Sequence, residues 1–140
     1  MTSADRDALR AQLIRHEGLR LFPYIDTVGK TSIGVGRNLT DRGITDAEAR
    51  LLLDNDINAV LNGLQVFAWF GVLDPVRQRA FCDLCFNLGL PRLRGFVKML
   101  DAAGRSDWGT AATELLDSAY AKQVGQRAQT VAAQLRTGQA

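Results

Sequence analysis

The stretch HEGLRLFPYIDTVGKTSIGVGRNL, residues 16–39, contains the pattern that decides the fold. It places Glu17 where a helix should end, Asp26 nine residues later in a turn, and Ser32 six residues after that on a short glycine-rich strand. The stretch therefore carries two carboxylates and a hydroxyl, separated by turn residues. We expect the rest of the chain to hold these three side chains around a cleft.

The segment before the second carboxylate is predicted to form a helix over residues 4–17. Leu9, Leu13 and Glu17 are four residues apart, so they share one helix face that is apolar until its last member. We expect this face to be buried, which would favour the protonated form of the glutamate, as a general acid requires. The alternative is a solvated glutamate at a helix end.

The next segment changes to a period of two. Ile33 and Val35 point to one side of a predicted strand, and Ser32, Gly34 and Gly36 point to the other. The second side therefore presents a hydroxyl and bare backbone. Glycines within strands often mark close approach by a ligand, so this face is suited to a flat sugar ring.

Asp26 lies at the entrance of a predicted hairpin turn, residues 27–30. An aspartate before a turn usually accepts hydrogen bonds from nearby backbone N–H groups, and this structural role is the alternative to a catalytic one. The functional interpretation gains weight because a glutamate and a strand hydroxyl are placed to converge with this aspartate.

Helix starts are marked by recognisable caps in the remainder of the chain. Thr45 and Glu48 form a capping box, and Asp74 precedes Pro75 at the first position of a second strong helix. Ser106 is predicted to cap a later helix.

The order of these signals predicts an α+β chain of two lobes that is mostly helical. A small β-hairpin or sheet lobe occupies about residues 18–45, a long connecting helix residues 46–64, and a helical lobe residues 65–140. We expect one domain over residues 1–140, with the first helix, residues 4–17, packing on the C-terminal lobe.

Composition excludes several classes of protein. A formal net charge of +2 and 46% apolar residues are ordinary for a soluble globular chain, and no apolar run is long enough to span a membrane. Basic residues are scattered, so nucleic acid is not indicated as a partner. The start, MTSADRDALRAQL, lacks the apolar segment of a secretory signal, and we expect the chain to be made and kept in a cytoplasm.

The two cysteines, Cys82 and Cys85, lie three residues apart in an apolar helical pattern. A redox CxxC motif requires a thioredoxin-like strand before it, and a zinc site requires more ligands. We therefore predict that both cysteines serve core packing.

Residues 17–36 resemble the phage lysozymes of glycoside hydrolase family 24, the bacteriophage T4 lysozyme family. The shared motif is E-G-x-R-L-x-x-Y-x-D-T-x-G-x-x-[TS]-I-G-x-G, in which the carboxylate spacing and the glycine positions both agree. Further matches follow in the expected order over nearly the whole chain: L-D-P-V-R from Leu73, F-N-L-G from Phe86, G-F from Gly95, Trp108, Arg127 and R-T-G from Arg136. The resemblance implies a lysozyme-like fold.

This resemblance also implies hydrolysis of the β-1,4 bond between N-acetylmuramic acid and N-acetylglucosamine in peptidoglycan, without a metal or cofactor. Carried over by position, Glu17 is the general acid, Asp26 the second carboxylate, and Ser32, where a threonine is usual, helps hold the attacking water. A carboxyl separation above roughly 6.5 Å would favour inversion, and one of about 5 Å a covalent intermediate with retention. The sequence leaves both outcomes open.

Five further residues fall at family positions with a role near the substrate. Arg127 stands where an arginine pairs with the catalytic acid across the cleft, although a surface arginine is the alternative. Asn38, Phe86, Met99 and Glu114 stand at substrate-contact positions. Three of these four have changed side chains, and an aromatic at the position of Phe86 is more often part of a core.

The family implies an endolysin that is a monomer and binds peptidoglycan glycan strands, with no nucleic acid and no stable membrane association. Such a protein would wait in the cytoplasm of the bacterial host and act on the wall from the periplasm. A separately made membrane pore of the holin type would release it.

Three other functions are weighed against hydrolysis. A carbohydrate-binding or structural protein on this scaffold would be expected to lose Glu17 or Asp26, and both are present. A nucleic-acid-binding module predicts a basic stripe along one helix, which is not found. A lytic transglycosylase would use the glutamate alone and leave an anhydro sugar end, which mass spectrometry of the products would reveal.

Overall fold

A computed structural model describes all residues, 1–140, and confirms a mostly helical α+β fold with one small antiparallel sheet. The chain divides into two compact units, residues 1–51 and 52–140. The predicted lobe limits and the packing of the first helix on the helical lobe stay predictions. None of the helices is both long and apolar enough to cross a membrane.

The first unit contains the sheet. Its elements are α1 (Ser3–Glu17), β1 (Arg20–Ile25), β2 (Thr31–Gly34), β3 (Arg37–Asn38), α2 (Leu39–Arg42) and the first turns of α3 (Asp46–Leu64). The strands are in the order β1-β2-β3 and both pairs are antiparallel. Ile25 pairs with Thr31 across the predicted hairpin turn, which confirms that turn.

Helix α1 begins and ends with well-formed caps. The Thr2 side chain accepts a hydrogen bond from the backbone N–H of Asp5, and the Asp5 carboxylate accepts one from the backbone N–H of Thr2. The prediction that its apolar stripe is buried is wrong, since Leu9 and Leu13 are 38% and 43% exposed. An amphipathic pattern identifies the helix face that can be covered, but not whether another element covers it.

The strand that carries Ser32 is shorter than predicted. β2 ends at Gly34, and Val35 and Gly36 form a turn into β3 rather than continuing the strand. Gly34 and Gly36 have φ values of 68° and 69°, a conformation that side-chain-bearing residues rarely adopt. The alternation of glycine and branched residues therefore predicted that the strand continues through Val35 and Gly36, whereas the chain reverses direction there.

β1 is an edge strand, because only β2 pairs with it. Pro23 lies inside β1, and the register between β1 and β2 shifts between Arg20 and Tyr24. A proline has no N–H to donate, so it is tolerated in a strand mainly at an edge or a bulge. The side chains of this strand are largely exposed.

The start of α3 is joined to the sheet by an ion pair. Arg37 donates from Nη1 and Nη2 to the two carboxylate oxygens of Glu48, at 2.9 and 2.8 Å. Glu48 also completes the predicted capping box, which is confirmed: its backbone N–H donates to the Thr45 hydroxyl, and its carboxylate accepts from the Thr45 N–H. One glutamate thus fixes both the helix start and the position of β3.

The second unit is helical throughout. After the end of α3 it contains a 3₁₀ helix (Phe70–Val72), α4 (Pro75–Leu88), α5 (Leu90–Arg94), α6 (Val97–Gly104), α7 (Trp108–Leu116), α8 (Ala119–Val124) and α9 (Gln126–Thr137). The Asp74 side chain caps α4 by accepting from the N–H groups of Val76 and Arg77, as predicted.

Helix α4 is the centre of this unit. Phe81 and Leu84 are fully buried, Cys85 is nearly so, and the Trp69 ring lies 4.9 Å from that of Phe81. The two cysteines are not joined to each other. Burial raises the pKa of both thiols, which makes them poor nucleophiles and agrees with a packing role.

Two local predictions for this unit are wrong. Ser106 does not cap α7: its φ is 58°, and the Asp107 side chain accepts from the Thr110 N–H instead. Helix α5 was not predicted at all. Gly89 ends α4 and Pro91 occupies the first turn of α5, where a missing N–H is tolerated.

Candidate active site

Glu17 is the last residue of α1, and Gly18 ends the helix by donating its N–H to the carbonyl of Ile14 at 2.9 Å. The glutamate side chain lies against the β2–β3 turn: a Cβ built on Gly36 would be 3.2 Å from Glu17 Oε2 and 3.6 Å from Cδ. Only a glycine leaves this space open to the carboxyl group. Glu17 is an exposed residue, and its carboxyl group makes no hydrogen bond within the protein.

Asp26 follows β1 directly and organises the hairpin turn. Its Oδ1 accepts from the N–H groups of Val28 and Lys30, at 3.0 and 2.8 Å. Asp26 therefore has the structural role of an aspartate that holds a turn. Only one of the two oxygens is used, however, so a fixed carboxylate with an unoccupied Oδ2 remains for a second partner.

Ser32 lies on the central strand, β2, and pairs with Tyr24 on one side and Asn38 on the other. It is the one buried residue of the first unit, with 3% of its surface exposed. Its hydroxyl makes no hydrogen bond to another protein group. A hydroxyl with free hydrogen-bonding capacity on an otherwise buried residue is suited to holding an ordered water.

These three side chains belong to one compact unit, residues 1–51. Asp26 stands at one end of the β1–β2 hairpin, Ser32 follows on β2, and Glu17 contacts the turn that ends the strand. The first unit therefore supplies an exposed carboxyl group, a second carboxylate fixed by backbone N–H groups, and a hydroxyl that follows both of them along the chain. Such a set can donate a proton, stabilise positive charge and orient a water.

Asn38 also lies in the first unit, but its side chain is engaged in local structure. It caps α2 by accepting from the Asp41 N–H at 3.0 Å, and its amide donates to the Asp41 carboxylate at 2.8 Å. Asn38 is the register partner of Ser32. A substrate would have to compete with the cap for this amide.

Phe86 and Arg127 line one apolar groove of about 780 Å³ in the second unit, with walls from α3 and α4. Phe86 is 48% exposed, so it is not the core residue that was the alternative. Arg127 donates from Nε to Asp83 Oδ1 at 2.8 Å. Its predicted pairing with the catalytic acid stays a prediction.

Met99 and Glu114 line a second, smaller pocket of about 370 Å³ between α6 and α7. Met99 is almost completely buried, at 1% exposure, so it is part of the core as well as of the pocket wall. Their roles in substrate binding stay predictions.

Two contacts near the site were not predicted from the sequence: that of Gly36 with the glutamate and that of Asp83 with Arg127. The signal for Gly36 was available in the G-x-G spacing, which was assigned to a strand face. Asp83 carried no signal, because it lies 44 residues before its partner.

Comparison with known proteins places this geometry in context. The family model described as phage lysozyme matches residues 14–136. "Probable T4-type lysozyme 2" of Dictyostelium discoideum is 25% identical, over 94% of this chain and 95% of that protein. "Probable T4-type lysozyme 1" of the same organism is 23% identical over 99% and 96%.

A region of the pre-baseplate central spike protein of Enterobacteria phage T4 is also similar. It is 28% identical over 94% of this chain, which corresponds to 28% of the spike protein. The family match includes every residue of the candidate site from Glu17 to Arg127. Because that match covers most of its length, the chain belongs to the phage lysozyme family, a family of glycoside hydrolases.

Proposed function

We propose that this protein is a muramidase that hydrolyses the β-1,4 bond between N-acetylmuramic acid and N-acetylglucosamine in peptidoglycan. Glu17 acts as the general acid, Asp26 as the second carboxylate, and Ser32 helps to hold the attacking water. The family match supports the reaction class. The arrangement of the three side chains in the first unit supports the individual roles.

The observation that carries this proposal is the placement of the Glu17 carboxyl group. It lies against the Gly36 turn, two residues beyond the strand that carries Ser32, and makes no internal hydrogen bond. A glutamate with a purely structural role at a helix end would be expected to pair with a cation or a backbone N–H. Glu17 instead keeps both oxygens free for a ligand.

In the proposed reaction Glu17 transfers its proton to the glycosidic oxygen as the bond to the anomeric carbon breaks. The negative charge of Asp26 stabilises the positive charge that develops on the sugar ring. The hairpin N–H groups hold Oδ1, so the carboxylate does not have to reorganise when this charge appears. Ser32 orients a water toward the ring.

The direct test is the clearing of outer-membrane-permeabilised bacteria by native protein and by Glu17→Gln. We expect the variant to lose about 100- to 10,000-fold in rate, the range typical of general acid catalysis. Asp56→Asn, which neutralises an exposed carboxylate on α3, is the control and should clear cells at the native rate. Equal rates for native protein and Glu17→Gln would show that the acid is wrongly assigned.

Asp26→Asn separates the chemical role of the aspartate from its structural one. The amide oxygen of asparagine can accept the same two N–H groups, so the turn should persist. We expect a native far-ultraviolet spectrum together with a loss of about 100-fold or more in rate. If the variant folds and clears cells at the native rate, Asp26 serves only to hold the hairpin turn.

We further propose that the protein is an endolysin of a phage or prophage, acting on glycan strands as a monomer after a holin-type pore has released it from the host cytoplasm. Mass spectrometry of digested peptidoglycan tests the reaction type. Reducing muramic acid ends are expected, and anhydro ends would indicate a transglycosylase instead. Expression in an intact bacterium, with and without a co-expressed holin, tests the dependence on release.

A further inference from the structure

Arg127 lies at an unfavourable position in its own helix. It is the second residue of α9, where the positive end of the helix dipole opposes a cation. An arginine placed there does not serve to stabilise its helix. Its location at the apolar groove, close to the exposed Phe86, indicates that the guanidinium is held for another purpose.

Asp83 holds this guanidinium from the neighbouring helix, α4. Its Oδ1 accepts from Arg127 Nε at 2.8 Å, and its backbone carbonyl lies 3.5 Å from Nη2. Arg127 Nη1 makes no hydrogen bond. The aspartate therefore restrains one edge of the guanidinium and leaves donors on the other side open to an incoming acceptor.

A buried phenol completes the surroundings of the ion pair. Tyr120 is 5% exposed, and its hydroxyl has no hydrogen-bond partner. Burial raises the pKa of this phenol, and the charges of both Arg127 and Asp83 act on it. The Asp83 hydrogen bond raises the pKa of Arg127, so the guanidinium stays charged.

We propose that Asp83 is a positioning residue for Arg127 and holds its guanidinium so that the Nη1 side can donate to an oxygen of the glycan substrate in the groove during the reaction. This inference rests on the proposed function, in which a peptidoglycan glycan strand is the substrate. Asp83 itself does not touch substrate. Its effect passes through the orientation of the arginine, since a misplaced charged group loses most of its value in a transition state.

The test is a double-mutant cycle in the full chain, with kcat and KM measured on soluble peptidoglycan fragments. Asp83→Ala and Arg127→Ala are each expected to lower kcat by about 10- to 100-fold, with little change in KM. The double variant should lose no more than either single variant, because the two residues act as one unit. Asp83→Asn should recover most of the rate, since its amide oxygen can still accept from Nε.

Asp101→Ala is the matched control, because it removes an aspartate that pairs with Arg105 on the surface of the same unit. It should keep the native kcat. Three outcomes would overturn the inference. The losses could be additive in the double variant, or Asp83→Ala could keep the native kcat. The third is that Asp83→Asn fails to restore the rate although thermal unfolding shows that this variant is folded. If Glu17→Gln is inactive in these cases, only the role of Asp83 fails; if Glu17→Gln is fully active, the proposed function fails first.

Discussion

The two units of this protein are specified by different forces. All 21 buried apolar side chains belong to residues 52–140, whereas Ser32 is the one buried residue of residues 1–51. The first unit is defined instead by turn glycines, helix caps and the Arg37–Glu48 ion pair. Directional bonds thus set the geometry of the proposed catalytic groups, and apolar burial stabilises the helical unit. We expect substitutions to affect stability mainly in the second unit and activity mainly in the first.

The largest expected effect on stability is that of Phe81→Ala in the helical core. Phe81 is fully buried and packs against Trp69, so truncation leaves a cavity. We expect a loss of about 3–5 kcal/mol in the free energy of unfolding, measured by urea denaturation. Phe22→Ala in β1 is the counterpart, and because that ring is 82% exposed it should change stability by no more than about 0.5 kcal/mol. Equal losses for the two variants would contradict the comparison.

An intermediate effect is expected at the two glycines of the β2–β3 turn. Gly34→Ala and Gly36→Ala both force a side chain into the left-handed region, which costs about 1–2 kcal/mol each. Only the Cβ at position 36 meets Glu17, at 3.2 Å, while the Cβ at position 34 meets nothing within 4 Å.

The two variants should therefore match in stability and differ in activity. Gly36→Ala is expected to lose about tenfold more in clearing rate than Gly34→Ala, because the glutamate carboxyl has to move. The measurement pairs urea denaturation with the turbidity assay. Similar activity in both variants would show that the contact with Gly36 does not position the acid.

The smallest expected effect concerns pH and the first unit. The hydrogen bonds from Arg37, followed by that from the Thr45 N–H, lower the pKa of Glu48 from 4.5 to about 2. A carboxyl whose pKa is depressed by folding stabilises the protein above about pH 4.5, and this contribution is lost as the pH falls toward about 2. The difference in thermal unfolding temperature between native protein and Glu48→Gln should therefore shrink from pH 7 to pH 2. If the difference in unfolding temperature does not change with pH, the Arg37–Glu48 ion pair is not its cause.

Local signals in the sequence predicted most of the fold. The caps at Thr45 and Asp74 act within three residues of themselves, and the helices that they begin were placed correctly. The hairpin at residues 27–30 was equally local. The lysozyme motif around Glu17 and Asp26 predicted the family, which comparison with the phage lysozyme model confirms.

What could not be predicted depends on backbone conformation or on distant partners. Nothing in the identity of Gly34 or Ser106 states that its φ is positive, so a strand was extended too far and a cap was placed one residue early. The Arg37–Glu48 and Asp83–Arg127 pairs join residues 11 and 44 positions apart, and any of several charged residues was a possible partner. The exposure of Leu9 and Leu13 could not be predicted either, because it depends on whether a distant element covers that face of the helix.

Pro23 has a consequence for the behaviour of the protein in concentrated solution. Leu21, Phe22 and Ile25 form an exposed apolar edge, with 78%, 82% and 67% of their surfaces accessible. Such an edge would ordinarily act as a template on which further chains add strands and grow into fibrils. The missing N–H of the proline and the shifted register beside it interrupt the row of hydrogen-bonding groups that an added strand would need. We therefore expect the exposed apolar edge to resist aggregation.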